Sequence, residues 1–412
     1  MLVAIVVGAA AGLAANALGG GSPWLEWSLV HVAQPVGQSF LRLLFMLVVP
    51  VLFSALVVGV AGLELGQLGR MGLRMLGYTV AVSSIAVAIG VALVDLVGPG
   101  RGAPDSLREL AHQGATVRPS AGSFSLVGLV PMNPIKAAAD GDMIGLIFFS
   151  LFFGVGLALV RTEPAARLRE AIEGLYEVSM RLIAIVLRVA PVGVAALLFA
   201  MTARLGADVL VQLAAYVGVV LVGLALQMGV VYSLSVRFLG GMSPWRFFAG
   251  SRLAVVTAFS TASSSATLPT ALKVAEEELR LPPAVARFVL TAGSAMNQNG
   301  TALFEGVTVL FLAQLFGVEL DLASQVGVMG ICILAGIGTA GVPAGSIPVV
   351  AMILQMYGIP LEGLGLILGV DRFLDMARTT VNVAGDLAAA VYVARAVGPG
   401  CETGPAGVEH GG

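Results

Sequence analysis

The chain has 412 residues, 58% of them hydrophobic and only 11% charged, with a mean hydropathy of +0.97. Soluble domains carry about 25% charged residues, so this composition excludes an ordinary soluble globule and points to a polytopic membrane protein. A net charge of −2 and a pI near 6.0 offer no basic surface to nucleic acid. The two cysteines, Cys332 in an apolar stretch and Cys401 in the tail, do not suggest a disulfide framework. The three histidines, His31, His112 and His410, fall in polar connections or the tail, which argues against histidine catalysis, haem or zinc.

Taken in order, the N-terminal MLVAIVVGAAAGLAANALGG is apolar from its first residue and has no basic leader, so it reads as a first spanning helix rather than a cleaved signal. Further apolar runs cover residues 36–60, 75–97, 125–160, 182–201, 209–236, 244–258, 283–316, 325–356 and 361–397. Roughly eight runs are long enough to cross a bilayer. The run at 125–160 is interrupted by Pro131, Pro134 and the turn at Ala138–Asp142. Basic residues cluster in alternate connections: Arg70 and Arg74, then Arg161, Arg167 and Arg169, then Arg237, Arg246 and Arg252, with Lys273, Arg280 and Arg287 around the next turn. By the positive-inside rule this predicts cytoplasmic N- and C-termini. The Gly/Pro-rich tail 398–412 has the composition of a disordered segment.

Two apolar runs are broken by helix-disrupting residues. Phe259–Thr270 reads FSTASSSATLPT, and residues 334–349 read LAGIGTAGVPAGSIPV. Backbone groups freed at membrane depth need partners. Paired short helices that enter and return, tip to tip, supply them, and corresponding breaks in two halves of a chain point to a transporter binding site. Between them, Ala295–Glu305 reads AMNQNGTALFE, which predicts an unwound turn around Gly300 with carbonyl oxygens offered to a hard cation.

The last run holds the densest chemistry. From Asp371, spacings of four, three, four and four residues reach Asp375, Arg378, Asn382 and Asp386, so all five share one helix face. An ionised group at the centre of a spanning helix costs about 2.5–3.5 kcal/mol, so four of them mark a site rather than a lipid-facing surface. Three carboxylates and one guanidinium leave the face at −2. Cations would correct that, and Arg378 can hold a carboxylate ligand. Other readings are weaker. Gly336–Gly341 matches G-x-G-x-x-G, but Pro343 stands where the helix should start and no βαβ unit surrounds it. An intramembrane aspartyl protease needs Gly-x-Gly-Asp where residues 383–386 read Val-Ala-Gly-Asp, and the serines lack a base for hydrolysis. The sequence carries no enzyme signature and no cofactor motif.

The segments Ser263–Pro269, Asn297–Glu305, Gly336–Pro343 and Asp375–Asp386 together resemble the dicarboxylate/amino acid:cation symporters, the family of the excitatory amino-acid transporters, over nearly the whole chain. The resemblance implies an all-α polytopic membrane protein: eight transmembrane helices plus two re-entrant helical hairpins, built as inverted repeats and working as an elevator. It implies residues 1–237 as helices one to six, mostly a trimerisation scaffold with helices three and six moving with the transport unit. Residues 238–397 are then the transport core, followed by the tail 398–412. A homotrimer in the cell inner membrane is expected, taking an acidic amino acid or a dicarboxylate with Na+ and/or H+.

By position, Asp375 resembles the partner of the substrate ammonium and Arg378 that of its side-chain carboxylate. Ser263, Ser264, Thr301, Thr379 and Asn382 frame the pocket, with Gly341 and Val342 closing over it. Gly293, Asn297, Asn382 and Asp386 resemble one sodium site, and Gly336, Ile337 and Thr339 a second. The third sodium site uses an Asp where this chain has Asn299, and its Tyr and Thr correspond to Thr79 and Val82, with Ser83 retained. The resemblance therefore implies two sodium sites at most. Glu305 stands where eukaryotic members have a proton-carrying Glu. An Arg found in the family beside the serines or next to the substrate Asp is absent from both positions, Ala262 and Met376. C4-dicarboxylate members lack the Asp matching Asp375, which favours an acidic amino acid. A neutral amino acid, a dicarboxylate or a gated anion conductance are the alternatives.

Overall fold

The computed structural model describes residues 2–19, 22–61, 71–102, 130–140, 143–338 and 346–397, and among these residues all regular structure is helical. Helices α1 (Leu2–Gly19), α2 (Pro23–Ser28), α3 (Gln34–Phe45) and α4 (Val48–Ala61) open the chain, followed by α5 (Leu73–Val97). Then come α6 (Pro134–Asp140), α7 (Met143–Leu159), the long α8 (Glu163–Leu205) and α9 (Asp208–Leu239), whose last third winds more widely. The final third holds α10 (Pro244–Thr261), α11 (Ser264–Lys273), α12 (Pro283–Met296), α13 (Asn299–Phe316), α14 (Leu322–Gly338), α15 (Ile347–Met356) and α16 (Leu364–Val397).

Among the described residues, five stretches are long and apolar enough to cross a membrane: Pro23–Ala61, Leu73–Val97, Asp208–Leu239, Pro283–Phe316 and Leu361–Val397. A sixth is counted if the two halves of α8 are one span; they bend by 52° between Val186 and Arg188. Pro191 explains the bend. It has no N–H for the carbonyl four residues back, at Leu187, and its ring crowds that carbonyl. The remaining apolar helices, such as Val3–Gly19, Gly145–Leu159 and Leu322–Gly336, fall short of full spanning length.

Small residues set the closest crossing of the first part. A Cβ on Gly8 would lie 2.6 Å from the Ala195 carbonyl oxygen, and one on Gly12 would lie 2.7 Å from that of Phe199. This Gly-x-x-x-Gly face lets α1 lie backbone to backbone on α8, where Thr202 donates to the Ala9 carbonyl at 3.3 Å and Asn16 to Ala203 at 2.8 Å.

Helix α13 is the centre of the second part. Every one of its residues except Gln314 is buried, which is the signature of a helix walled in on all sides. It packs on α5, α9, α14 and α16. The ends of these helices are tied at one face: Arg395 donates to the Phe238 carbonyl at 3.0 Å, closing the end of α9, and Arg74 of α5 donates to Ala396 at the end of α16. Cations at helix C-termini satisfy orphan carbonyls and suit the helix dipole.

Gly8→Ala should lower the melting temperature of the detergent-solubilised protein, with an overpacking cost of about 1–3 kcal/mol, because the opposing atoms are backbone and cannot rotate away. Gly77→Ala, where a Cβ meets nothing within 4 Å, serves as the control and should melt like the parent.

Candidate functional site

The polar stripe of α16 turns inward. Asp371, Asp375, Arg378, Thr379, Asn382 and Asp386 are all buried, with Arg378 only 2% exposed. Arg378 donates from Nε to Asp375 Oδ1 at 3.0 Å, and its Nη2 lies 2.9 Å from the same oxygen. Its Nη1 sits 3.2 Å from Asp371 Oδ1 at angles that make an ion pair without a hydrogen bond. The guanidinium stacks on Phe304 of α13, 4.2 Å from the ring centroid, a cation–π contact that fixes its plane. One Arg nitrogen is thus held close to anions and remains able to donate to an incoming carboxylate.

Helix α12 ends at Met296 and α13 restarts at Asn299. Asn297 and Gln298 leave the helical region with ψ near 60°. The unwound turn therefore lies two residues before Gly300, not around it. Asn382 explains the register. Its Oδ1 accepts from the Gly300 N–H at 2.7 Å and the Thr301 N–H at 3.4 Å, a tertiary cap on the start of α13. Its Nδ2 donates to Gln298 Oε1 at 2.5 Å and Thr301 Oγ1 at 3.0 Å. Gly300 serves instead for close approach, since a Cβ there would meet the Arg378 carbonyl at 2.7 Å.

Beside this turn, Asn297 Nδ2 donates to Asp386 Oδ1 at 3.0 Å, while Asn297 Oδ1 is buried without a partner. A Cβ on Gly293 would lie 2.6 Å from Asp386 Oδ1. Gly293 and Asn297 thus meet Asp386, while the Asn382 side chain bonds to the start of α13; Asp386 Oδ1 and the unpartnered Asn297 Oδ1 are oxygens of the type a hard cation takes. Gly336, at the end of α14, packs over the same turn against Gln298 and Ala302. Ile337 follows it in the helix, and Thr339, Gly341 and Val342 lie outside the described residues.

The serine run forms the start of α11. The preceding helix closes at Ala262 in the left-handed region, φ +50°, an unusual conformation for a residue with a Cβ. Ser263 caps α11 by accepting from the Ala266 N–H at 3.2 Å, and the buried Ser264 hydroxyl has no hydrogen-bond partner. Glu305 lies a turn beyond Thr301 on α13, fully buried, and neither carboxyl oxygen makes a hydrogen bond.

Asn299 belongs to a separate network. Its Oδ1 accepts from Ser83 at 2.5 Å and its Nδ2 donates to the Tyr232 hydroxyl at 3.1 Å, which in turn donates to the Val381 carbonyl. The sequence reading lacked Gln298, Tyr232, the Phe304 platform and the unpartnered buried hydroxyl of Ser346. Phe304 and Tyr232 have polar neighbours in sequence, Glu305 and Ser233, but nothing in that pattern names the Arg378 and Asn299 side chains they meet across helices.

The sequence profile of the sodium:dicarboxylate symporter family matches residues 1–396. The chain belongs to this family. Among curated relatives, the proton/glutamate-aspartate symporter of Escherichia coli (strain K12) is 34% identical over 381 residues, covering 90% of this chain and 86% of the relative. The proton/sodium-glutamate symport protein of Bacillus subtilis (strain 168) is 31% identical over 400 residues, covering 95% and 91%. The excitatory amino acid transporter 1 of Ambystoma tigrinum is 30% identical, covering 85% and 74%. The protein is a multi-pass membrane symporter of this family and not an enzyme.

Arg378→Ala would leave two buried carboxylates facing each other, and losing one partner of a buried pair costs about 3–5 kcal/mol. We expect poor recovery and a lowered melting temperature. Adding Asp371→Asn to that variant should return part of the lost stability, read by thermal unfolding in the same detergent.

Proposed function

We propose that the protein takes up L-aspartate or L-glutamate in symport with Na+, H+ or both. The observation that carries this reading is the buried Asp375–Arg378 pair, whose Nη1 makes no hydrogen bond. Two groups of opposite charge, one turn apart, match a zwitterion with an extra carboxylate: the ammonium goes to Asp375 and the side-chain carboxylate to Arg378. Asn382, Thr379, Thr301, Ser263 and Ser264 hold the main-chain carboxylate or frame the pocket, with Gly341 and Val342 as its cover. The relatives named for glutamate or glutamate-aspartate symport favour the same substrate class. A C4-dicarboxylate would leave Asp375 facing a second carboxylate, and a neutral amino acid would leave Arg378 without its anion.

Sodium is cargo in this reading. One ion lies with Asp386, Asn382, Asn297 and Gly293, and a second near Gly336, Ile337 and Thr339. The orphaned Asn297 oxygen beside Asp386 supports the first. Glu305 carries the proton, since it makes no hydrogen bond and can gain or lose a proton without breaking a structural contact. Residues 238–397 form the transport core of an elevator with two re-entrant hairpins and eight spanning helices overall. Residues 1–237 supply the scaffold of a homotrimer in the inner membrane, with both termini cytoplasmic. The ties from Arg74 and Arg395 favour helices α5 and α9 travelling with the core.

Radiolabelled L-aspartate uptake into proteoliposomes, with sodium and proton gradients imposed separately, tests this. Uptake should be driven by either or both gradients, and Glu305→Gln should flatten its dependence on pH. Absence of aspartate and glutamate uptake under both gradients would overturn the substrate assignment. An unchanged pH profile in Glu305→Gln would remove that residue's proton role.

A further inference from the structure

Asp375 is met by guanidinium groups from two sides. Arg378, buried, holds Oδ1 from within through Nε and Nη2. Arg372, three residues earlier on α16 and 56% exposed, approaches from outside, with Nη1 3.9 Å from Oδ2. The two contacts differ in kind. The inner one is short, hydrogen-bonded and sealed against Phe304. The outer one is long, and its cation hangs on a flexible exposed side chain that keeps its conformational freedom and is screened by salt. Arg372 thus faces Oδ2, the other oxygen of the same carboxylate.

We propose that Arg372 is a specificity-determining residue at the mouth of the site: it stands in for the substrate ammonium at Asp375 and is displaced when an amino acid binds. This rests on the reading that Asp375 takes the ammonium. The loose outer pair yields readily, so the residue does not block entry. It biases the choice of ligand instead. An amino acid brings its own cation and must move Arg372 aside. A dicarboxylate brings none, and Arg372 remains as the counter-charge that keeps Asp375 from repelling the second carboxylate. Arg372 therefore weakens amino-acid binding and eases dicarboxylate binding, and its removal separates the two classes further.

The test is equilibrium binding of labelled L-aspartate to the full-length protein in detergent, with succinate as competitor, for the parent, Arg372→Gln, Arg372→Lys and Asp375→Asn. Arg372→Gln should tighten aspartate binding by about two- to fivefold, the equivalent of an exposed ion pair, and weaken succinate competition by a similar factor. Arg372→Lys should stay near the parent, and high salt should shrink the difference between parent and Arg372→Gln. An aspartate affinity that is unchanged or weaker in Arg372→Gln overturns the proposal, as does a shift of both ligands in the same direction. Asp375→Asn separates this from the underlying reading. If it loses aspartate binding while Arg372→Gln moves neither ligand, only the role of Arg372 falls. If it binds aspartate like the parent, or if the parent binds none, the ammonium assignment falls and the Arg372 proposal with it.

Discussion

The constraint on which the site depends is a guanidinium held where water cannot reach it. Arg378 is 2% exposed, and a charge so placed survives only with anions against it. Asp375 and Asp371 supply them from the same helix, one turn behind and two turns behind, so their approach is set by helical geometry and needs no other element. Phe304 then fixes the plane of the group from the neighbouring helix. The arrangement overcompensates charge, two carboxylates to one cation, and undercompensates hydrogen bonding, since Nη1 is close to Asp371 without bonding to it. An ammonium could pair with these carboxylates, and a carboxylate could accept from Nη1.

The second constraint is the interrupted helix between Met296 and Asn299. A break at membrane depth exposes amide and carbonyl groups that lipid cannot satisfy. Here the amides of Gly300 and Thr301 are taken by a side chain of α16, the Asn382 carboxamide. The same helix therefore carries the charges of the site and caps the turn that lies beside it. A displacement of α16 would carry the cap of this turn with it.

The inward face of the last helix was legible in the sequence. A five-residue polar stripe inside an apolar run has a single physical explanation, and Asp371, Asp375, Arg378, Asn382 and Asp386 all prove buried along α16. The helix break at the serine run was legible from its Ser/Thr cluster and Pro269, but the helix breaks at Ala262, Ser263 caps the next one and Pro269 lies within it. Glycine suggests unwinding at Gly300, but the break lies two residues earlier, and Gly300 is needed for close packing on the Arg378 carbonyl. Span counts are less legible, since apolar runs do not reveal where a helix bends or stops short. The 52° bend at α8 follows from Pro191, but the sequence alone does not say whether such a helix crosses once or folds back. Partners across helices, such as Tyr232 for Asn299, leave no periodic trace at all.

The polar interior thus divides into two networks of opposite character. The hydrogen bonds of Asn299 are all between neutral groups: Ser83 donates to its oxygen, its nitrogen donates to Tyr232, and Tyr232 donates onward to the Val381 carbonyl. A buried network with its donors and acceptors paired rigidifies the helices that meet in it, here α5, α9, α13 and α16. Around Arg378 and Asp386 the groups are charged and incompletely matched, with atoms of Ser264, Asn297 and Glu305 left without hydrogen bonds. Such a network is costly unless something completes it. An Asp in place of Asn299 would have put a charge into the matched half and made it, too, a demand for a cation. With Asn there, α16 is anchored on one side by satisfied neutral bonds and bears its unsatisfied groups on the other. That asymmetry lets one rigid helix hold a site whose chemistry is finished only by what it carries.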